Sequence, residues 1–170
     1  MTSMRTLVLL RHAKAASTAP SDRERPLTSE GLADAEAAGR WLADRGITAD
    51  AALVSDAGRT SQTWEQVATG AGWAVTPELS PALYAADPQT ATDLIAATDA
   101  DVSTLVVVGH NPTIAYLAQV LDDGSGDQDA VDAMITGGYP PCTLTVFEVP
   151  GEWADLEQGA RLVAHHVARA

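Results

Sequence analysis

The stretch LVLLRHAKAA, from Leu7 to Ala16, spends four positions on apolar side chains and then breaks into Arg11 and His12. A short apolar run bounded by polar residues reads as a strand buried on both faces, and Arg5–Leu10 fits that reading. A guanidinium and an imidazole then stand at its carboxyl end. In an open parallel sheet, ligands bind in the crevice beyond the carboxyl ends of the strands. Whether this pair is a site or an ordinary polar strand end depends on what surrounds the strand.

The rest of the chain alternates. Ser29–Arg45 is expected to be a helix, with Leu32, Ala35, Gly39 and Leu42 on one face and Gly46 placed to end it. Ala51–Ser55 reads as a second strand, Arg59–Thr69 as a helix and Trp73–Thr76 as a short strand. Pro88–Thr98 follows as a helix with proline in its first turn. Thr104–Gly109 (TLVVVG) reads as a valine-rich strand and Pro112–Leu121 as a further helix. Near the end, CTLTVFEV and ARLVAHHV read as two strands joined through Gly151 and Gly159 as a hairpin. The expected fold is therefore α/β, a mainly parallel central sheet flanked by helices on both faces, with an antiparallel strand pair near the C-terminus. No repeat or boundary divides residues 1–170, which read as a single domain. The segment DDGSGDQD, Asp122–Asp129, reads as a solvated loop. No register of it supplies both the central glycine and the final glutamate of an EF-hand calcium loop.

Composition narrows the partners. The formal net charge is −13, from 23 acidic against 10 basic residues. Such a surface repels nucleic-acid backbones and anionic lipid, so no nucleic acid and no membrane is expected as a partner. No run approaches the roughly 20 apolar residues of a membrane helix, and Leu7–Leu10 is too short for the core of a secretory signal. Cys142, the one cysteine, excludes an internal disulfide, fits a cytoplasmic location and reads as a small buried residue.

Against that acidic background, three strand ends deliver cations to one rim. Arg11 and His12 follow the first strand, Arg59 follows the second in SDAGRTSQT, and His110 follows the valine strand in VVVGHNP. Two arginines and two histidines gathered in so acidic a chain point to an anion pocket. A phosphoryl group presents three charged oxygens, which arginine forks bind in bidentate fashion. Neutral imidazole attacks phosphorus at neutral pH, where a serine hydroxyl would need a base. His12 is read as the nucleophile, with Arg11, Arg59 and a protonated His110 stabilising the equatorial oxygens. Asn111 and the helix start beyond it add donors. This chemistry requires neither metal nor cofactor, and none is expected.

RHAKA (11–15), SDAGRTSQT (55–63) and GHNP (109–112), in this order, resemble the histidine phosphatase superfamily, whose fold is phosphoglycerate mutase-like. The block RPLTSEG (25–31) and the short chain resemble its small SixA-type phosphohistidine phosphatase branch. The likeness runs from about Arg5 to Leu121. It implies that His12 becomes phosphohistidine, that Arg11 and Arg59 bind the phosphoryl oxygens, and that His110 completes the pocket. Ala13 and Ala15 depart from the glycine and the hydroxyl residue usual in the first motif, and Asp56 stands where larger relatives often carry proline.

A further departure is a missing acid. Larger relatives carry a glutamate after the third strand as proton donor to the leaving group, and TPELSPALYAADP (76–88) supplies none at a matching place. Glu78, Asp87 and the Tyr84 phenol are the candidates there. An alkoxide leaving group needs a positioned acid, a contribution of about 10²–10⁴-fold. Imidazole, acyl and anhydride leaving groups depart without one, so N–P, acyl and anhydride phosphates are the expected substrates. Lys14, the only lysine, is a candidate for steering the anion. The Asp22–Arg25 loop is read first as pairing among its own charges, while the resemblance leaves open that Asp22 or Arg25 touches the pocket rim. The chain is thus read as a phosphohistidine phosphatase acting on a partner protein. Two alternatives stand beside it: a small-molecule phosphatase for nucleotides or other activated phosphorylated metabolites, and an inactive phosphate-binding regulatory module.

Overall fold

The computed structural model describes residues 4–170. Strand β1 (Met4–Arg11) lies inside a six-stranded sheet with β2 (Ala51–Ser55), β3 (Glu78–Ser80), β4 (Thr104–Gly109), β5 (Thr143–Pro150) and β6 (Arg161–Val167). The order across the sheet is β3-β2-β4-β1-β5-β6. The first four strands run parallel, while β5 is antiparallel to β1 and to β6, as the sequence predicts for the C-terminal pair.

Alternation along β1 sorts its side chains between two cores. Leu7 and Leu9 join Leu105 and Val107 on one face, against α4 (Pro88–Ala96), α5 (Thr113–Leu121) and the 3₁₀ segment Trp153–Gln158. Val8 and Leu10 join Val106 and Val108 on the other, against α1 (Ser29–Asp44) and α2 (Gly58–Ala71). Because both faces are covered, the strand reads as unbroken apolar sequence. Helices α1 and α2 approach closely because Gly39 has no side chain; a Cβ there would lie 2.1 Å from the Val67 carbonyl oxygen.

Two expectations are corrected. Trp73–Thr76 is not a strand; β3 begins at Glu78, after Pro77, and pairs over only three positions with β2. Trp73 and Val75 still pack, half-buried, on the second core, which gives the segment its apolar character. The loop read over Asp122–Asp129 ends early, because Asp127 caps α6 (Gln128–Gly137) by accepting from the Asp129 and Ala130 backbone N–H groups. A short helix, α3 (Pro81–Tyr84), is a further element between β3 and α4. No helix among the described residues is long and apolar enough to cross a membrane.

Candidate active site

The backbone of His12 is stitched between two neighbouring strands. Its N–H donates to the Gly109 carbonyl at 3.1 Å, and its carbonyl accepts from the Cys142 N–H at 3.0 Å. The ring is fixed by its own chain. Nδ1 lies 2.8 Å from the Ala13 carbonyl oxygen, so the ring proton is held on Nδ1 and the lone pair is left on Nε2. The Ala13 N–H in turn donates to Thr63 Oγ1 at 3.0 Å, and the Thr63 hydroxyl donates to the Arg59 carbonyl at 2.7 Å. Ala13 is fully buried with its methyl in the second core, so alanine in place of the usual glycine fits there.

The RPLTSEG block braces this loop from outside. The Thr28 N–H donates to the Lys14 carbonyl at 2.9 Å, and Thr28 also caps α1 through the Gly31 N–H. A Cβ on Gly31 would stand 2.1 Å from the Lys14 carbonyl oxygen, so glycine is what lets the helix start press on the residues after His12.

All four expected cations converge. A cavity of about 310 Å³ is lined by Arg11, His12, Lys14, Ala15, Arg25, Arg59, His110, Asn111 and Pro141. The His12 and His110 rings are 5.4 Å apart. Arg11 Nη1 donates to the Tyr139 carbonyl at 2.9 Å. Arg59 is buried; Nη1 donates to the Asp22 carbonyl at 2.8 Å and Nη2 to Asp22 Oδ2 at 3.1 Å. His110 Nε2 sits 2.8 Å from Ser55 Oγ. Three buried nitrogens of this cluster have no hydrogen-bond partner among the described residues: Arg11 Nε, Arg59 Nε and His110 Nδ1. An orphaned buried donor costs about 1–3 kcal/mol, so the fold leaves Arg11 and Arg59 at this cavity incompletely satisfied.

Burial above all, then the neighbouring Arg59, holds the His12 pKa down at about 4 and that of His110 at about 3. Both rings are neutral at pH 7. For His12 that is the form with a free lone pair. For His110 it corrects the expectation of a protonated ring. Neutral His110 pairs through Nε2 with the Ser55 hydroxyl, and Nδ1 is its nitrogen without a partner among the described residues.

The remaining candidates separate. Asn111 lines the cavity, but its carboxamide is engaged at both ends: Nδ2 donates to the Tyr139 carbonyl at 2.9 Å and Oδ1 accepts from the Ala115 N–H at 3.2 Å. Lys14 stands at the exposed rim, paired with Glu30 at 2.8 Å. The Asp22–Arg25 loop is not a self-contained charge cluster. Asp22 does pair with Arg25 at 3.0 Å, but it also grips Arg59. Arg23 pairs with Asp56, which gives the residue at the usual proline position a partner. Among the acid candidates, Glu78 lines a different cavity, and Asp87 caps α4 by accepting from the Thr90 N–H at 2.7 Å. Tyr84 reaches the site, its hydroxyl donating to Asp22 and its ring edge-on to His110. Asp22 itself is held down at about 2, first by Tyr84 and then by Arg25 and Arg59, so it is an ionised acceptor. Burial pushes the Cys142 thiol up to about 12, in keeping with its reading as a small buried residue.

Sequence reasoning missed Ser55, Thr63 and the Tyr139 carbonyl. Ser55 and Thr63 lie inside the SDAGRTSQT block, but their partners His110 and Ala13 are 55 and 50 residues away, and only folding shows what they hold. Tyr139 acts through its backbone, which no side-chain pattern reveals.

Comparison with known proteins agrees with this geometry. Residues 7–87 match the model of the histidine phosphatase superfamily (branch 1). An uncharacterized protein of Mycobacterium tuberculosis is 39% identical over 162 residues, 94% of this chain and 100% of the relative. The Escherichia coli phosphohistidine phosphatase SixA is 32% identical over 124 residues, 68% of this chain and 73% of the relative. A solved structure from Nakamurella multipartitia, named as a candidate phosphohistidine phosphatase SixA, is 35% identical with a TM-score of 0.84, covering 99% of this chain and 98% of that one.

Proposed function

The chain belongs to the histidine phosphatase superfamily, and from that premise we propose that it removes phosphate from phosphohistidine on a partner protein, through a phosphohistidine intermediate on His12. The observation that carries the reading is a neutral imidazole sharing with the buried Arg59 and the half-buried Arg11 a cavity lined, among the described residues, by no carboxylate. In the first step the His12 Nε2 lone pair attacks phosphorus and the bond from phosphorus to the substrate's ring nitrogen breaks. Arg11, Arg59 and His110 hold the equatorial oxygens as charge shifts among them. The substrate ring takes a proton from solvent on its other nitrogen before the P–N bond breaks, so it departs as neutral imidazole, a base weak enough to leave without a positioned acid. In the second step water attacks phospho-His12, the P–N bond breaks, and inorganic phosphate is released with His12 restored. Support for a phosphohistidine substrate comes from the missing acid and from the name borne by the E. coli relative.

The experiment is a turnover assay on a phosphohistidine peptide and on a plain alkyl phosphomonoester in parallel. The reading expects the N–P substrate to be cleaved at least about 10²-fold faster, the contribution an absent acid withholds from the ester. Equal rates would contradict it.

A further inference from the structure

We propose that Tyr84 is a positioning residue of the phosphoryl site, holding the Asp22 carboxylate on Arg59 and bracing the ring of His110. The local sequence aims it there. Ser80 caps α3 by accepting from the Leu83 N–H at 3.2 Å, Pro81 starts the helix, and Leu83 is buried in the first core. The residue after that anchor is delivered to the rim, half-buried, beside three groups of the site. Its hydroxyl donates to Asp22 Oδ2, the same oxygen that accepts from Arg59 Nη2. Its ring stands edge-on to His110, with centroids 5.4 Å apart at 79°. The guanidinium of Arg23 covers the ring, 4.2 Å from its centroid, and that arginine is itself tied to Asp56.

Asp22 needs such a hold. It lies on a 3₁₀ turn with its side chain 57% exposed, where a lone carboxylate samples several rotamers. Pinned, it holds both Nη groups of Arg59 and so fixes the guanidinium in the wall of the cavity. The Tyr84 proton is committed to an ionised carboxylate, so the phenol holds Asp22 in place instead of supplying a proton to the leaving group. The segment that in larger relatives brings a proton donor brings, in this chain, a clamp.

The test uses Tyr84→Phe, which keeps the ring and removes the hydroxyl, together with Tyr84→Ala, Asp22→Asn and the Tyr84→Phe/Asp22→Asn pair. The readouts are affinity for inorganic vanadate, kcat and KM on a phosphohistidine peptide and on an alkyl phosphate, and Tm. The expected result is about fivefold weaker vanadate binding for Phe, with a similar fall in kcat/KM on both substrates, and about tenfold or more for Ala. In the double variant the two losses do not multiply, because they remove one interaction. Vanadate affinity within twofold of wild type in both Tyr84 variants overturns the inference, whether or not Tm drops. A loss confined to the alkyl ester also overturns it and makes Tyr84 a proton donor. The turnover arm rests on the phosphatase reading and the vanadate arm does not. A wild type that binds vanadate but cleaves no phosphate would remove that reading and leave this one standing.

Discussion

The sheet carries two cavities of nearly equal size and opposite character. One, about 310 Å³, lies beyond the carboxyl ends of β1, β2 and β4 and is lined by cations. The other, about 360 Å³, lies beside the starts of β2 and β4, with Asp50, Glu78 and Asp99 among its walls. Asp50 is already spent there, accepting from the Ser103 and Thr104 N–H groups at 3.1 and 2.9 Å. In the first cavity Arg11, Arg59 and His110 each keep a nitrogen unpartnered. Volume does not tell a site from a fold in the surface. What separates the two is whether polar groups are satisfied within the protein or left for something else.

The largest test of that contrast sets the two cavities side by side. His12→Ala is expected to lower turnover of a phosphohistidine peptide by on the order of 10³-fold or more, while Glu78→Gln stays within about twofold of wild type. A matching loss in the Glu78 variant would move the chemistry to the wrong end of the sheet. Arg59→Ala is expected to cost about 10²–10³-fold in kcat. Arg59→Lys should recover at most about tenfold of it, since an ammonium restores charge but not the fork. Ser55→Ala removes the one partner of His110 Nε2. A three- to tenfold loss in kcat, roughly one hydrogen bond, is expected with little change in Tm.

The two histidines also make the contrast pH-dependent. In the unfolded chain they take up protons near pH 6.5, but in the fold only near 4 and 3. Stability is therefore fully present above about pH 6.5 and falls as pH drops from there toward 4. The depressed Asp22 contributes in a lower window, below its ordinary 3.8. Denaturant midpoints at pH 7.5 and 5.0 should differ for wild type and differ less for His110→Asn; equal differences would mean that His110 titrates normally. The smallest effect belongs to Lys14. Its pairing with Glu30 is solvent-exposed, so Lys14→Ala should leave Tm unchanged and kcat/KM within about twofold of wild type at physiological salt.

Legibility from sequence followed the same division. Runs such as TLVVVG could be bounded to the residue because both faces of the strand are buried and the pattern is continuous. The three-residue β3 has too few positions to show any pattern, and a proline beside it displaced the expectation onto Trp73–Thr76. Helix α6 was hidden because its capping Asp127 sits among the aspartates and glycines of a loop. At the site, Arg11, His12, Arg59 and His110 were legible because each lies at or within a few residues of the carboxyl end of a strand. For Asp22 only the resemblance hinted at the pocket rim, since its grip on Arg59 joins residues 37 apart in sequence. Ionisation was not legible at all: His110 is neutral because it is buried beside Arg59, and burial is a property of the fold.

The central claim is that His12 forms a covalent phosphoryl bond. The direct measurement is to quench the enzyme during turnover of a ³²P-labelled phosphohistidine peptide and locate the label by proteolysis. The account predicts an acid-labile, base-stable phosphoramidate on the peptide containing His12, absent from His12→Ala. An acid-stable label on another residue, or steady turnover with no trapped label in wild type and undiminished activity in His12→Ala, would contradict it.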